Sequence, residues 1–126
     1  MCFGCGPDNP IGLRLSFAWN GDCYETRWTP QRTHQGWAGR VHGGMIGLVL
    51  DEILSRAALT RHGPHWVTAE LTTRLVRPAQ VGVPLVGQAW IESARPRLIL
   101  CAGAVREQEG GALVATGQAK MMPVKR

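Results

Sequence analysis

The sequence predicts an α+β fold in which a curved antiparallel sheet of about six strands wraps around one long buried helix. Two observations support this prediction. Residues 45–59 are apolar on nearly every side of a helix, which is typical of a helix buried within a domain. Two strand-like segments precede this stretch and four follow it, and their short connections favour antiparallel pairing. A generic α+β sandwich would contain the same elements, and the pattern alone does not distinguish the two.

Short segments of alternating or β-branched side chains, bounded by turn residues, predict the strands. They lie at residues 13–17, 23–29, 66–76, 85–92, 97–106 and 112–122. The predicted helix, from Met45 to Leu59, is followed by a strong stop signal, because Gly63 can adopt a left-handed conformation and Pro64 forbids continuation. In a chain of 126 residues these elements make one domain, which we expect to span residues 1–126.

Composition is that of an ordinary globular protein. Hydrophobic residues make up 44% of the chain and charged residues 18%, which excludes an intrinsically disordered class. No apolar run approaches the roughly 20 residues that a membrane-spanning helix needs. The N-terminus also lacks the residue order of a signal peptide. We therefore expect a cytoplasmic protein with no membrane partner.

The formal net charge is +5, and 12 of the 14 basic residues are arginine. Nucleic-acid binding would need a basic stripe with base-reading side chains. Capture of a small polyanion would instead use a few arginines, whose planar guanidinium groups suit phosphate. The arginines are dispersed along the chain, so most of them belong to a solvated surface. We expect no nucleic-acid partner.

Cys2 and Cys5 form a C-x-x-C pair, which alone is a weak signal for a metal site. A structural zinc site needs four ligands, usually in two close pairs, whereas Cys23 and Cys101 lie far apart in the sequence. No thioredoxin-like strand precedes the pair. We interpret the pair as part of a tight N-terminal loop, and we expect no metal or other cofactor.

A Gly-Gly pair and a carboxylate mark the helix as the candidate active site. Gly43 and Gly44 would begin the helix with unobstructed N–H groups, which can hold a carbonyl oxygen as it becomes an oxyanion. Asp51 lies two turns further into the apolar helix, where an ionised carboxylate is costly without partners. The glycines could instead only start a buried helix, and Asp51 could pair with an arginine. Glu52, about 100° away around the helix, is the rival carboxylate.

The spacing along the helix predicts an oligomer. Gly43 and Asp51 are eight residues apart, about 12 Å at 1.5 Å per residue, so one reacting carbon cannot contact both within one chain. If both act, they come from different copies of the helix. The catalytic interpretation therefore requires a site at a subunit interface, in a homodimer that can assemble further into a tetramer.

The order His42-Gly43-Gly44, six further residues and then Asp51 resembles the hotdog acyl-CoA thioesterases of the phenylacetate-degradation and hydroxybenzoyl-CoA type. Further segments similar to that family lie at residues 2–13, 34–37, 41–44, 68–71 and 77–78. The resemblance extends over nearly the whole chain. It implies a hotdog fold and hydrolysis of an acyl-CoA to a free acid and CoA.

The resemblance also implies roles for individual residues. The N–H of Gly43 would polarise the thioester carbonyl, and Asp51 of the partner subunit would act as general base or nucleophile. Thr68 falls where some relatives keep a serine that positions water. We expect Thr68 on a polar strand face with Trp66, Glu70 and Arg74. His42 would orient the loop or the substrate.

Four residues are candidates for substrate binding: Gly44, Gln35, Arg74 and Arg77. Some relatives carry an asparagine six residues before the His-Gly-Gly, where this chain has Gly36 with Gln35 beside it. Which amide holds the acyl carbonyl stays open. Arg74 and Arg77, together with Arg95 and Arg97, are candidates for the CoA phosphates, which arginine binds well.

Two other functions fit the same fold. A non-catalytic protein that binds acyl-CoA would gain nothing from a desolvated carboxylate, so Asp51 favours the enzyme. A hydratase or dehydratase would need an acid and a histidine acting on one acyl chain, which the spacing of His42 and Asp51 disfavours. The identity of the acyl group cannot be predicted from the sequence.

Overall fold

The structure, a computed structural model, describes residues 1–124. Its elements are β1 Phe17–Asn20, β2 Cys23–Trp28, a short 3₁₀ helix Arg32–His34, α1 Gly43–His62, β3 Trp66–Leu75, β4 Leu85–Arg95, β5 Leu98–Glu107 and β6 Leu113–Pro123. The six strands form one antiparallel sheet in the order β1-β2-β4-β5-β6-β3. The helix packs against this curved sheet, which is the predicted hotdog fold.

The helix is buried as its composition predicts, and it exceeds the predicted range at both ends. Its buried side chains are Ile46, Val49, Leu50, Ile53, Leu54, Ala57 and Ala58. Gly63 ends the helix with a φ of 96° and donates its N–H to the Leu59 carbonyl at 2.9 Å. Among the described residues, no helix is long and apolar enough to cross a membrane.

Three glycines on neighbouring strands let the helix approach the sheet. Gly87 lies on β4, Gly103 on β5 and Gly117 on β6. A Cβ at Gly117 would lie 3.2 Å from Leu50, and one at Gly103 would lie 3.2 Å from Leu54. The absence of side chains at these positions sets how closely α1 lies above the sheet.

The predicted first strand is wrong, because β1 begins four residues later than expected. Leu13 donates its N–H to the Phe3 carbonyl and Leu15 donates to the Gly4 carbonyl, both at 2.9 Å. Arg14 between them has a φ of 53°, which no regular strand contains. The alternating leucines therefore belong to a segment bonded to the N-terminal loop.

The C-x-x-C segment forms the predicted tight loop. Gly6 donates its N–H to the Cys2 carbonyl at 2.9 Å, which closes a turn around Cys5. Both cysteines are free thiols, as are Cys23 and Cys101.

β3 is an edge strand that pairs only with β6 within the described chain. A β-bulge between Thr68 and Glu70 reverses the alternation of its side chains. Thr68 is paired with Met121, which is buried beneath the helix, whereas Glu70 is paired with Lys120 and forms an ion pair with it at 3.3 Å. The predicted common face of Thr68, Glu70 and Arg74 is therefore wrong. Thr68 faces the helix, and the other two lie on the outer face.

Candidate active site

The helix N-terminus is capped by the histidine that precedes it. The Nδ1 atom of His42 accepts a hydrogen bond from the Gly44 N–H at 2.9 Å, so neutral His42 carries its proton on Nε2. The N–H of His42 donates to the His34 carbonyl at 2.9 Å, and the Met45 N–H donates to the His42 carbonyl. Gly44 is thus used by the cap, while the Gly43 N–H has no acceptor within the described part of the chain.

A cavity of about 290 Å³ opens beside Gly43. Its walls include the apolar side chains of Ile46 and Leu75 and two arginines, Arg40 and Arg77. A Cβ at Gly43 would lie only 2.8 Å from the Leu75 side chain, so glycine keeps this space open. The cavity therefore combines apolar walls, a free N–H donor and positive charge.

Asp51 faces β3, where it contacts Thr68, another of the predicted catalytic residues. The hydroxyl of Thr68 donates to Oδ1 of Asp51 at 3.1 Å and also lies 3.5 Å from the Met121 sulfur. Both Asp51 and Thr68 are half-buried. None of the described arginines forms an ion pair with Asp51 within the chain.

Glu52 points away from Asp51 and toward the N-terminal loop. The thiol of Cys2 donates to Oε1 of Glu52 at 3.3 Å. The two adjacent carboxylates are therefore separated around the helix, as the 100° rotation per residue predicts. Only Asp51 lies next to Thr68.

The candidate residues form two separate groups on a single chain, and each group is called a half-site here. One half-site contains Asp51 and Thr68, near the start of β3. The other contains Gly43 and the cavity, beside Leu75 at the end of β3. Since Gly43 and Asp51 are eight residues apart on one straight helix, about 12 Å separates them along its axis.

The predicted substrate-binding residues fall in different places. Arg77 lines the cavity beside Gly43. Arg74 lies on the outer face of β3, opposite to the helix. The Oε1 atom of Gln35 accepts a hydrogen bond from the Gly39 N–H at 3.2 Å, so this side chain shapes the loop before the helix.

Sequence reasoning missed two residues of the cavity wall, Trp37 and Arg40. Trp37 is 85% exposed, so it has no role in the core. The sequence feature that could have indicated this wall is a tryptophan in the glycine-containing loop that precedes His42. The same loop holds His34, whose pKa is lowered by burial and whose Nδ1 accepts the Gln31 N–H at 2.9 Å.

Comparison with solved structures finds the same fold in several proteins. The first is the thioesterase superfamily protein RHA08564, at 28% identity and a TM-score of 0.85 over 93% of this chain. This chain spans 60% of the length of that protein. A phenylacetic acid degradation-related protein from Ralstonia eutropha has 27% identity and a TM-score of 0.78, with 87% of this chain and 85% of that chain covered.

The PaaI protein from the phenylacetic acid degradation operon of E. coli has a TM-score of 0.81. The match covers 90% of this chain and 81% of the PaaI chain. At 17% identity it shows the fold alone. No curated protein matches the chain. The sequence profile of the Thioesterase superfamily matches residues 38–114, a segment that contains Gly43, Asp51 and Thr68. The chain therefore belongs to the thioesterase superfamily.

Proposed function

We propose that the protein hydrolyses an acyl-CoA to a free acid and CoA, at sites that two subunits of a homodimer share. The observation that carries this proposal is the hydrogen bond between Thr68 and the half-buried carboxylate of Asp51. Membership of the thioesterase superfamily supports the reaction class. The free N–H of Gly43 supports a place for the thioester carbonyl.

Asp51 supplies the base or the nucleophile. Thr68 donates to Oδ1, which fixes the orientation of the carboxylate and leaves Oδ2 without a partner among the described residues. As a general base, Oδ2 takes a proton from water, and the water oxygen bonds to the acyl carbon. As a nucleophile, Oδ2 attacks that carbon itself and forms an anhydride that water then hydrolyses. In either case the C–S bond breaks and the CoA thiolate takes up a proton.

Gly43 stabilises the oxygen that becomes negative during this reaction. Its N–H lies at the positive end of the α1 dipole and beside the apolar cavity. A donor of this kind is typically worth on the order of 10²–10³ in turnover. His42 keeps the helix start in place through its bond to the Gly44 N–H.

The edge position of β3 offers a way for two subunits to share their active sites. Antiparallel pairing of two β3 strands about a twofold axis between Leu71 and Thr72 would set Thr68 opposite Leu75 of the partner subunit. This arrangement brings the Asp51 half-site of one protomer to the Gly43 half-site of the other, twice in each dimer. It also protects a ten-residue strand edge that would otherwise expose its backbone groups.

Arginines near the cavity suit the CoA part of the substrate. Arg77 and Arg40 line the cavity wall, where their guanidinium groups can bind phosphate. Trp37, which is exposed on the same wall, offers an apolar contact to the ligand. The outer-face position of Arg74 makes it a weaker candidate than Arg77.

The test is a panel of acyl-CoAs with release of the free thiol as the readout. We expect turnover of at least one substrate and a loss on the order of 10²–10⁴-fold in Asp51→Asn, the usual contribution of a positioned base. Asp22→Asn, an exposed change in the β1–β2 turn, is the matched control and should keep the wild-type rate. Folding of each variant is checked by circular dichroism.

Two outcomes contradict the proposal. One is a well-folded Asp51→Asn protein that turns over as fast as the wild type. The other is a wild-type protein that binds acyl-CoAs across the panel without releasing thiol, which would favour the non-catalytic acyl-CoA binder.

A further inference from the structure

A second cluster of chemically reactive side chains lies outside the proposed active site. It contains Cys2, Cys5 and Glu52, whose ligand atoms all lie within 4.8 Å of one another. Two of these residues come from the N-terminal loop, and the third comes from the middle of α1. The folded chain therefore adds a third ligand, a carboxylate, to the C-x-x-C pair, and no local sequence pattern indicates this addition.

The loop backbone is shaped to bring these groups together. A Cβ at Gly4 would overlap the side chain of Glu52, and a Cβ at Gly6 would lie against the backbone of Cys2. The hydrogen bond from the Gly6 N–H to the Cys2 carbonyl, at 2.9 Å, holds the turn closed. Glycine at both positions is thus required for the two thiols to reach Glu52.

The charged groups at the cluster sum to zero when a divalent cation is bound. Two thiolates and one carboxylate carry three negative charges, and a divalent cation leaves one of them uncompensated. Arg56, one helical turn after Glu52, supplies the remaining positive charge, with its Nη1 atom 3.5 Å from the Cys5 sulfur. The Nε of this arginine is buried without a hydrogen-bond partner, and its guanidinium lies 4.9 Å from the Phe17 ring centroid.

We propose that Cys2, Cys5 and Glu52 bind a divalent transition-metal ion of the zinc class, with water as the fourth ligand. Two sulfur atoms and one carboxylate oxygen suit the tetrahedral preference of zinc. Binding forms two metal–sulfur bonds and releases the two thiol protons to solvent. This inference departs from the sequence-based expectation that the pair only shapes a loop, and it does not depend on the proposed hydrolysis.

The ion would join the N-terminal loop to the catalytic helix. Glu52 is the neighbour of Asp51, but the two side chains point to different sides of α1. The metal therefore serves to hold the loop on the helix and touches no reacting atom. Its effect should be seen in stability and in metal binding.

Cobalt(II) is the probe, because its complexes with thiolate sulfur absorb at near-ultraviolet and visible wavelengths at which those of zinc do not. We expect the reduced full-length protein to bind one cobalt ion per chain with sulfur-to-cobalt charge-transfer absorption, which zinc then removes. Cys2→Ser and Cys5→Ser should each lose that absorption. Cys23→Ser, a half-buried cysteine outside the cluster, should keep it. Loss of a residue that only hydrogen-bonds to a metal ligand typically lowers metal affinity by about 10- to 100-fold. Glu52→Gln removes a ligand itself, so it should weaken cobalt binding by at least that factor.

Melting temperature gives a second and independent readout. Zinc should raise it in the wild type and in Cys23→Ser, because a ligand that binds only the folded state stabilises that state. Zinc should not raise it in Cys2→Ser. Cobalt absorption that persists in Cys2→Ser and Cys5→Ser overturns the proposal. So does a reduced protein that binds no cobalt and forms only a Cys2–Cys5 disulfide in air.

Discussion

At the scale of single residues, the position of Thr68 depends on one irregularity in β3. Thr68 and Asp51 are both predicted as site residues, and the structure places them within hydrogen-bond distance of each other. The predicted face of Thr68 was wrong, because regular alternation was assumed through Ala69. The bulge there arises from pairing with β6, which is distant in sequence, so no local pattern could reveal it.

We expect Thr68→Ala to lower kcat by about 10- to 100-fold with little change in KM, because a hydrogen bond to a charged group is worth about 1.5–3 kcal/mol. Thr68→Ser restores the hydroxyl and should recover most of the rate. Steady-state kinetics on the best acyl-CoA measures both. If Thr68→Ala is as fast as the wild type, or if Thr68→Ser is as slow as Thr68→Ala, the hydroxyl does not position Asp51.

The choice between the two adjacent carboxylates also belongs to this scale. The sequence leaves Asp51 and Glu52 as rivals, and only the folded chain shows which one faces Thr68. Loss of turnover in Glu52→Gln together with normal turnover in Asp51→Asn would reverse the assignment.

At the scale of secondary-structure elements, the helix was the most predictable feature. Its all-round apolar character predicted burial, and the glycine and proline after it predicted its end. The first strand was mistaken, because Leu13 and Leu15 alternate as a strand does while their N–H groups bond to the N-terminal loop. Side-chain periodicity reports which residues are buried, but it does not report the backbone partner.

The close packing of α1 on the sheet gives a stability prediction. Gly117→Val adds a side chain where Leu50 and Leu54 already lie within 3.3 Å of a Cβ, so we expect the free energy of unfolding to fall. Overpacking of this kind typically costs about 1–3 kcal/mol.

Gln118→Val is the matched control, since it places the same side chain on the exposed face of the same strand. It should change the free energy of unfolding by no more than about 0.5 kcal/mol. Urea denaturation measures both variants. Equal stability of the two proteins would show that glycine at this position does not set the spacing between helix and sheet.

At the scale of the whole molecule, the sequence predicts that Gly43 and Asp51 lie apart on one helix, but it does not predict which strand lies at the edge of the sheet. The helix rise alone separates Gly43 from Asp51. The strand order was not predictable, because β3 is followed in the chain by β4 but pairs with β6. That order leaves β3 at an edge, and this free edge is the surface on which the proposed dimer depends.

Subunit mixing tests the shared site most directly. Gly43→Val blocks one half-site and Asp51→Asn disables the other, so each homodimer should be inactive. Random exchange of equal amounts makes half of the dimers mixed, each with one intact site, so about one quarter of the wild-type activity should return. Conversely, an excess of the Gly43→Val/Asp51→Asn double variant should abolish the activity of the wild type. Each site of a mixed dimer then carries one of the two substitutions. Exchange demonstrated by mass labelling without any return of activity would contradict the account, as would an active monomer of 13.7 kDa.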